Sequence, residues 1–226
     1  MFLRTSLLVL RKDLAIEIKT LEIVTTTLFF AVACVLVFSF AFVREGQAPP
    51  DAAPAILWIA VAFSGTLALG RTFERERESE TLRALILSPA ERPAVFLGKL
   101  WGLLLLMGSV EIVVVLLVAL FFDAPILRAP WLFLGLLASG TIGFAAVGTL
   151  FAAMLMRARS RDVLLPVILY PIIIPVVIAG VRGTGALLAP EPDFGTGEMW
   201  LAMLLFFDVV FVTLALWTFG PIMSEG

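Results

Sequence analysis

The chain has no histidine among its 226 residues. Histidine is the commonest metal ligand and the side chain that titrates nearest neutral pH, so every histidine-dependent metal site or base mechanism is excluded within this chain. Its absence also removes the commonest axial ligand of haem iron. The single cysteine, Cys34, rules out an intrachain disulfide. We therefore expect no catalytic residue and no metal site.

A phosphate-binding loop is also missing from the sequence. The only Gly-Lys pair, Gly98-Lys99, lacks both the upstream glycine and the following Ser or Thr of the G-x-x-x-x-G-K-[ST] pattern that cradles nucleotide phosphates. The chain therefore cannot hydrolyse a nucleotide by that route. If ATP drives the protein, we expect a separate subunit to bind it, which makes this chain a non-catalytic subunit.

Charge is scarce, whereas apolar residues are abundant. Charged residues make up 15% of the chain and apolar residues 61%, while soluble proteins carry about a quarter charged residues. Six apolar segments are each close to the length that crosses a hydrocarbon core of about 30 Å. All five tryptophans lie near the predicted span ends, as in an aromatic belt. The sequence predicts an all-α integral membrane protein with one membrane domain over residues 1–226 and spans at 23–43, 55–70, 100–122, 131–156, 163–181 and 199–219.

The basic residues predict the orientation of these spans. Thirteen Lys and Arg fall in the N-terminal segment and in the second and fourth connections, and three fall on the opposite side. The positive-inside rule therefore places both termini in the cytoplasm. Residues 1–20 carry apolar side chains at three- and four-residue spacing, which predicts a helix lying in the cytoplasmic interface of the membrane. This strip comprises Leu3, Leu7, Leu10, Leu14 and Ile18.

The connection from Arg71 to Lys99 holds 11 of the 34 charged residues in 29 positions. No proline or glycine interrupts residues 72–87, so a cytoplasmic helix is predicted there, and Ser88–Glu91 has the capping-box pattern that starts a new helix. A solvated charged loop is the plain interpretation. An apolar strip instead favours a docking helix for a cytoplasmic partner. The candidate docking residues are Phe73, Glu74, Glu78, Leu82, Leu85 and Ile86.

The fifth span contains three prolines, Pro166, Pro171 and Pro175, each of which removes a backbone donor. The span is either a kinked packing helix or a broken helix that lines a path, with Tyr170 as a polar tip inside it. After it, residues 182–198 are predicted to be an outer connection in which residues 186–189 dip back into the interface.

Two acids, Glu111 and Asp208, lie near the centres of the third and sixth spans. A charge at the centre of a membrane costs at least about 2.5 kcal/mol on insertion scales. Both acids are therefore either protonated and hydrogen-bonded between helices, or part of a water-filled path or proton site.

Three segments together resemble the haem-exporter B permease family of cytochrome c maturation. They are Pro54-x-x-x-Trp58, the Phe73…Leu82…Leu85…Pro89…Pro93-Ala94-Val95…Lys99 block, and Leu164-Leu165-x-x-x-Leu169-x-Pro171-x-x-x-Pro175. The resemblance implies an exporter-type ABC permease of the inner membrane, whose cytoplasmic helix between spans 2 and 3 sits in a groove of the ATPase. It also implies haem as cargo, with ATP bound only by the partner.

The partners that the resemblance implies are an ABC ATPase, a haem-handling membrane subunit, a small single-span subunit and a periplasmic haem chaperone. A second copy of the chain is a further candidate, and nucleic acid is not expected. The resemblance also implies that the complex uses ATP to release the haem-loaded chaperone. The alternatives are an ABC permease for a drug or another lipid, a proton-coupled secondary transporter using Glu111 and Asp208, and a non-transporting scaffold.

Overall fold

The computed structural model describes residues 2–43, 49, 51–78, 92–155, 158 and 160–224, except for the side chains of 73–78, 161–162 and 222–224. Within this part of the chain there are seven α-helices and no strand. Helices α2 to α7 are long and apolar enough to cross a membrane, which confirms the predicted all-α, six-span fold class. The helices are α1 (Phe2–Thr20), α2 (Glu22–Phe42), α3 (Ala52–Glu78), α4 (Arg92–Phe122), α5 (Pro130–Met154), α6 (Arg161–Leu188) and α7 (Phe194–Ser224).

The N-terminal helix α1 is joined to α2 by a single residue, Leu21, whose φ of 51° lies in the left-handed region. Glu17 near the end of α1 closes this corner, because its carboxylate accepts the backbone N–H groups of Ile23 and Val24, each at 2.9 Å. These N–H groups have no partner within α2, so Glu17 supplies the cap that a helix start requires. The corner turns the chain from α1 into the first span.

The apolar strip of α1 faces outward rather than into the protein. Leu3 is 79% exposed, Leu7 63% and Ile18 72%, whereas Ser6 and Val9 are buried against α4. A helix that exposes its leucines on a membrane protein suits the bilayer interface. The interfacial position of α1 stays a prediction from the sequence.

Helix α3 is longer than the predicted second span. The sequence predicted a span at 55–70 and a separate helix at 72–87, but α3 runs without a break from Ala52 to Glu78. Gly70 sits inside the helix, and an isolated glycine weakens a helix by only about 1 kcal/mol without ending it. The predicted span and the predicted cytoplasmic helix are therefore parts of one helix as far as Glu78. Residues 79–91, which include the predicted capping box, lie outside the described residues.

Helix α6 matches one of the two interpretations of the fifth span and corrects one predicted boundary. It continues from Arg161 to Leu188 through all three prolines, so the fifth span is not a broken helix. Residues 182–188, predicted as part of an outer connection, form its last two turns, and only 189–193 connect it to α7. Gly183 is used for close packing rather than for a turn, because a Cβ there would lie 2.7 Å from the side chain of Leu136.

Helix α5 is the centre of the bundle and α3 is the next most buried span, whereas α7 exposes most of its surface. Small residues let neighbours approach α5 closely. Gly140 lies against the ring of Trp58, and Gly148 lies against Leu69. Trp58 is only 2% exposed, so its assignment to an aromatic belt was wrong, whereas Trp131 and Trp217 are exposed near helix ends, as a belt requires.

Candidate transport and coupling elements

The predicted docking residues fall into two groups. Phe73, Glu74 and Glu78 belong to the last part of α3, where the backbone is helical and the side chains are not described. Leu82, Leu85 and Ile86 lie outside the described residues. The first part of the predicted docking segment therefore continues the helix of the second span, since α3 runs unbroken from Ala52 to Glu78. At 1.5 Å per residue its 27 residues measure about 40 Å, longer than a hydrocarbon core of about 30 Å.

A buried ion pair sits beside the other end of the Arg71–Lys99 segment. The ammonium of Lys99 in α4 lies 2.7 Å from Oδ2 of Asp13 in α1, and the Lys99 side chain is only 3% exposed. Gly98 allows the crossing, because a Cβ there would lie 2.7 Å from the backbone oxygen of Ser6. Sequence reasoning missed this pair. The sequence offered one indication of it, a lysine at the start of the third apolar run and an acid in the N-terminal helix. These two segments were considered separately.

The start of α4 is also tied to the end of α7. The guanidinium of Arg92 donates a hydrogen bond to the carbonyl of Gly220 at 3.1 Å, and the rings of Phe96 and Phe219 pack with centroids 5.4 Å apart. The membrane-proximal ends of α1, α4 and α7 are therefore joined by direct contacts.

The candidate path residues lie in a continuous helix that packs on α3. The hydroxyls of Tyr170 and Thr66 are hydrogen-bonded at 3.3 Å, and the Tyr170 ring lies 5.8 Å from the ring of Phe63. Pro166, Pro171 and Pro175 are all interior to α6. Of the two interpretations from the sequence, the structure matches a packing helix that contains prolines. A path along this helix is not tested by these contacts.

Glu111 in α4 is buried against α5. Glu111 Oε1 lies 2.6 Å from Thr141 Oγ1, and the same threonine oxygen lies 2.8 Å from the carbonyl oxygen of Leu137. A hydroxyl carries one hydrogen for these two contacts. A protonated Glu111 satisfies both, because it donates to the threonine oxygen while the threonine donates to the carbonyl.

Asp208 in α7 makes the corresponding contact with the opposite side of α5. The hydroxyl of Ser139 lies 2.5 Å from Asp208 Oδ2, while Asp208 Oδ1 is buried and has no hydrogen-bond partner among the described residues. Gly143 makes room for this carboxyl group, since a Cβ there would lie 2.8 Å from Oδ1. The two hydroxyls, two positions apart on α5, thus join the central helix to α4 on one side and to α7 on the other.

Trp58 joins three spans at one point. Its ring lies between Gly140 of α5 and Gly180 of α6, and any Cβ at either glycine would overlap the indole. Its Nε1 donates to the hydroxyl of Thr184 at 3.2 Å. A buried tryptophan needs such a partner for its N–H group. The first half of α3 therefore packs closely against α5 and α6.

The protein matches known proteins along nearly its whole length. The family model described as "CcmB protein" matches residues 4–223. A relative named "Heme exporter protein B" from Pseudomonas aeruginosa is 29% identical over 199 residues, which cover 88% of each chain. A relative of the same name from Bradyrhizobium diazoefficiens is 25% identical over 186 residues, covering 82% of this chain and 83% of the relative. A third, from Paracoccus denitrificans, is 29% identical over 152 residues, covering 67% of this chain and 69% of the relative. The chain, a multi-pass membrane protein, thus belongs to the CcmB protein family.

Proposed function

We propose that this chain is the membrane permease subunit of an ATP-driven haem-export complex in cytochrome c maturation. The observation that carries the proposal is membership of the CcmB family over residues 4–223, together with relatives named for haem export. Haem is the cargo of the complex, and this chain holds no cofactor of its own. The ATP is bound by a separate cytoplasmic ATPase, because the sequence contains no phosphate-binding loop.

The orientation in this proposal follows the distribution of basic residues. The start of α2 and the ends of α3 and α5 lie on the side that carries 13 of the 16 Lys and Arg. This side is the cytoplasm by the positive-inside rule, in the inner membrane of a bacterium. The segment 71–99 then faces the ATPase.

In the proposed mechanism, the ATPase groove receives the segment that begins with Phe73, Glu74 and Glu78 and continues through Leu82, Leu85 and Ile86. The continuity of α3 supports direct transmission of force, because no hinge separates this segment from the second span. The buried Trp58 then passes movement of α3 to α5 and α6. The contacts of Arg92 and Phe96 pass movement of α4 to α7.

The remaining partners in this proposal are a haem-handling membrane subunit, a small single-span subunit, a second copy of this chain and a periplasmic haem chaperone. Pro166, Tyr170, Pro171 and Pro175 form the bending part of the mechanism, since each internal proline removes one helical hydrogen bond and lowers the cost of a bend. The complex releases the haem-loaded chaperone on the outer side.

We assign Glu111 and Asp208 a packing role in this mechanism rather than proton coupling. Each acid already has a hydroxyl partner on α5 at 2.6 Å or less, which is the arrangement expected for neutral carboxyl groups between helices. A proton-coupled secondary transporter is the competing function. It requires transport that continues without ATP and stops with an uncoupler.

The experiment tests docking and cargo separately. The full chain replaces the family member of a host bacterium as wild type, Glu78→Lys or Leu82→Asp, and Glu191→Lys serves as a charge-matched control in the opposite, exposed connection. We expect both docking variants to keep normal subunit levels, to lose copurification with the ATPase and to abolish maturation of c-type cytochromes. The control should mature them normally.

Two results would refute parts of the proposal. Normal maturation in both docking variants would remove the coupling role of residues 71–99 and leave the cargo open. If deletion of the gene impairs tolerance to drugs while c-type cytochromes still mature, the cargo is a drug or another lipid, and haem export is wrong. These readouts separate the family's architecture from its cargo.

A further inference from the structure

Two carboxylates on α1 hold two different spans. Asp13 contacts the ammonium of Lys99 in α4 at 2.7 Å. Glu17 accepts the backbone N–H groups of Ile23 and Val24 in the first turn of α2, each at 2.9 Å. Asp13 and Glu17 are four residues apart, and residues at this spacing are neighbours on one face of a helix. One short face of α1 is therefore attached to the third span at one point and to the first span one turn later.

Both attachments are buried contacts. The Lys99 side chain is 3% exposed, and Glu17 is 8% exposed. Hydrogen bonds in which one partner is charged are stronger than neutral ones, and the loss of one partner leaves a buried polar group unpaired. Ion pairs on an exposed surface, by contrast, contribute little. The two attachments are therefore suited to hold α1 in place while the spans around it move.

Helix α1 also bridges a gap between these two spans. A cavity of about 290 Å³ lies between the first turn of α2 and the first half of α4, and α1 forms its third wall. Ile23 and Val24 line it from α2, and Lys99 and Gly102 line it from α4. Side chains on opposite sides of a cavity make no van der Waals contact across it. At this level the connection between α2 and α4 therefore runs through α1.

The connection from α1 into α2 has little slack. It is the single residue Leu21, whose φ of 51° lies in the left-handed region that is narrow and unfavourable for a residue with a side chain. Its backbone N–H donates to the carbonyl of Glu17 at 2.6 Å. At the other end, a Cβ at Gly98 would lie 2.7 Å from the backbone oxygen of Ser6, so α1 and α4 are in close contact. No flexible loop separates the two attached spans.

We propose that α1 is a strap that couples the start of α4 to the start of α2, with Asp13, Glu17 and Lys99 as its positioning residues. A shift of α4 draws α1 along through the ion pair, and α1 passes the shift to α2 through Glu17 and the one-residue corner. Lys99 ends the charged connection 71–99, so the strap begins where that connection joins the third span. The ATPase that moves α4 rests on the proposed function, whereas the strap is a property of this chain.

The test is hydrogen exchange of the full-length chain in mild detergent, followed by mass spectrometry over the first turn of α2. Lys99→Met cuts the α4 end of the strap and leaves Glu17 in place. We expect it to speed exchange of the Ile23 and Val24 N–H groups at least about fivefold, the lower end for coupling between two sites. Lys19→Met, an exposed lysine on α1, is the matched control and should leave this exchange unchanged. Equal exchange in both variants would overturn the proposal.

A disulfide keeps the proposal falsifiable if Lys99→Met does not fold. Asp13→Cys, Gly102→Cys and Lys99→Met together remove both ions, and Cys34→Ser removes the native cysteine. A Cβ at Gly102 would lie 4.0 Å from the Cβ of Asp13, within the range of about 3.5–4.5 Å for a disulfide. We expect wild-type protection of the first turn of α2 after oxidation, and exchange about fivefold faster after reduction. The same exchange in both redox states would contradict the strap.

A readout in cells separates this inference from the proposed function. In the host bacterium, Lys99→Met and Glu17→Ala each cut one end of the strap. We expect each to lower cytochrome c maturation about fivefold, with a normal subunit level and normal copurification with the ATPase. Normal maturation in both variants would overturn transmission through α1. If the wild-type chain itself supports no maturation, haem export is wrong, and the exchange experiments alone decide whether the strap exists.

Discussion

The ion pair between Lys99 and Asp13 predicts an unequal response to the loss of either partner. At 2.7 Å the attraction is about 6 kcal/mol with an effective dielectric constant of about 20, but burial of each ion costs several kcal/mol in lost hydration. The pair as a whole therefore contributes little net stability. Removal of one partner is costly when the other stays buried and charged.

Lys99 is the partner that cannot recover its hydration. Its side chain is 3% exposed, against 19% for Asp13. Asp13→Asn leaves a buried ammonium without this carboxylate and should cost about 3 kcal/mol, at the low end of values for broken buried pairs. Lys99→Met leaves a carboxylate that reaches water and should cost clearly less. The order of the two effects is the prediction, because it follows from exposure alone.

The assay is thermal unfolding of the full chain in mild detergent, followed by the fluorescence of its five tryptophans. A loss of about 3 kcal/mol lowers Tm by about 6–12 °C for a chain of this size. Lys19→Met, which removes an exposed lysine of the same helix as Asp13, is the control and should change Tm little. The double variant Asp13→Leu with Lys99→Met should recover most of the loss, since it removes both ions. If Asp13→Asn unfolds no earlier than Lys19→Met, or Lys99→Met is the more damaging change, the reasoning is wrong.

Three further predictions follow from other contacts. Gly140→Ala should destabilise the bundle by about 1–3 kcal/mol, because its Cβ overlaps the ring of Trp58, whereas Gly108→Ala, which meets open space, should not; equal Tm values in the two variants would contradict this packing. Glu111→Gln should retain normal cytochrome c maturation, since an amide can also donate to the hydroxyl beside it, and a complete loss would favour proton coupling. The hydroxyl of Thr196, and then its backbone N–H, donate to Asp193 at the start of α7 and hold the pKa of this carboxyl group below its ordinary value. The stability from these hydrogen bonds is therefore present above the unfolded pKa of about 3.9 and is lost as pH falls through the lower folded pKa. Asp193→Ala should make the stability of the protein depend less on pH in this acidic range, measured by unfolding at a series of pH values.

Much of the fold could be predicted because the bilayer constrains it so strongly. Six apolar runs of this length predict six helices, since a helix pairs all of its backbone N–H and C=O groups within the segment, as hydrocarbon requires. The helix ends were harder to predict, because composition marks where lipid ends and not where a helix ends. Helix α3 passes beyond the apolar run into a charged segment in which Glu74/Arg77 and Arg75/Glu78 stand three apart, and such pairs stabilise a helix.

Glycine and proline were misleading for a related reason. Residues 182–188 were predicted to belong to a connection, and the prolines of the fifth span left a broken helix open as one interpretation. In a tightly packed bundle a glycine is also the residue that lets a neighbour come close, and Gly183 has that use against Leu136. A proline in a span is tolerated where neighbouring helices pack around it. Local sequence cannot distinguish these cases, because the partner residue is distant in the chain.

For the candidate site, too, local features could be read from the sequence, whereas contacts between distant residues could not. The docking segment is a prediction from charge density and from an apolar strip, both of which are local. The contacts that would carry its movement were not, because each joins residues far apart in sequence: Trp58 with Thr184, Lys99 with Asp13, and Arg92 with Gly220. Two of these contacts hold the ends of the spans on the N-terminal side, and Trp58 holds the opposite half of α3.

In the proposed coupling, α3 moves as one continuous helix about its contact at Trp58, and no local rearrangement within α3 is needed. Trp58 and Glu78 are 20 residues apart on one helix, about 30 Å at 1.5 Å per residue. If a push at Glu78 tilts this helix about Trp58, the displacement of α3 grows from Trp58 towards Glu78, and residues of α1, α2 and α4 beside this part of α3 line a cavity of about 290 Å³. Thr72, on α3, lines the same cavity, so the space under α1 would change shape whenever α3 moves.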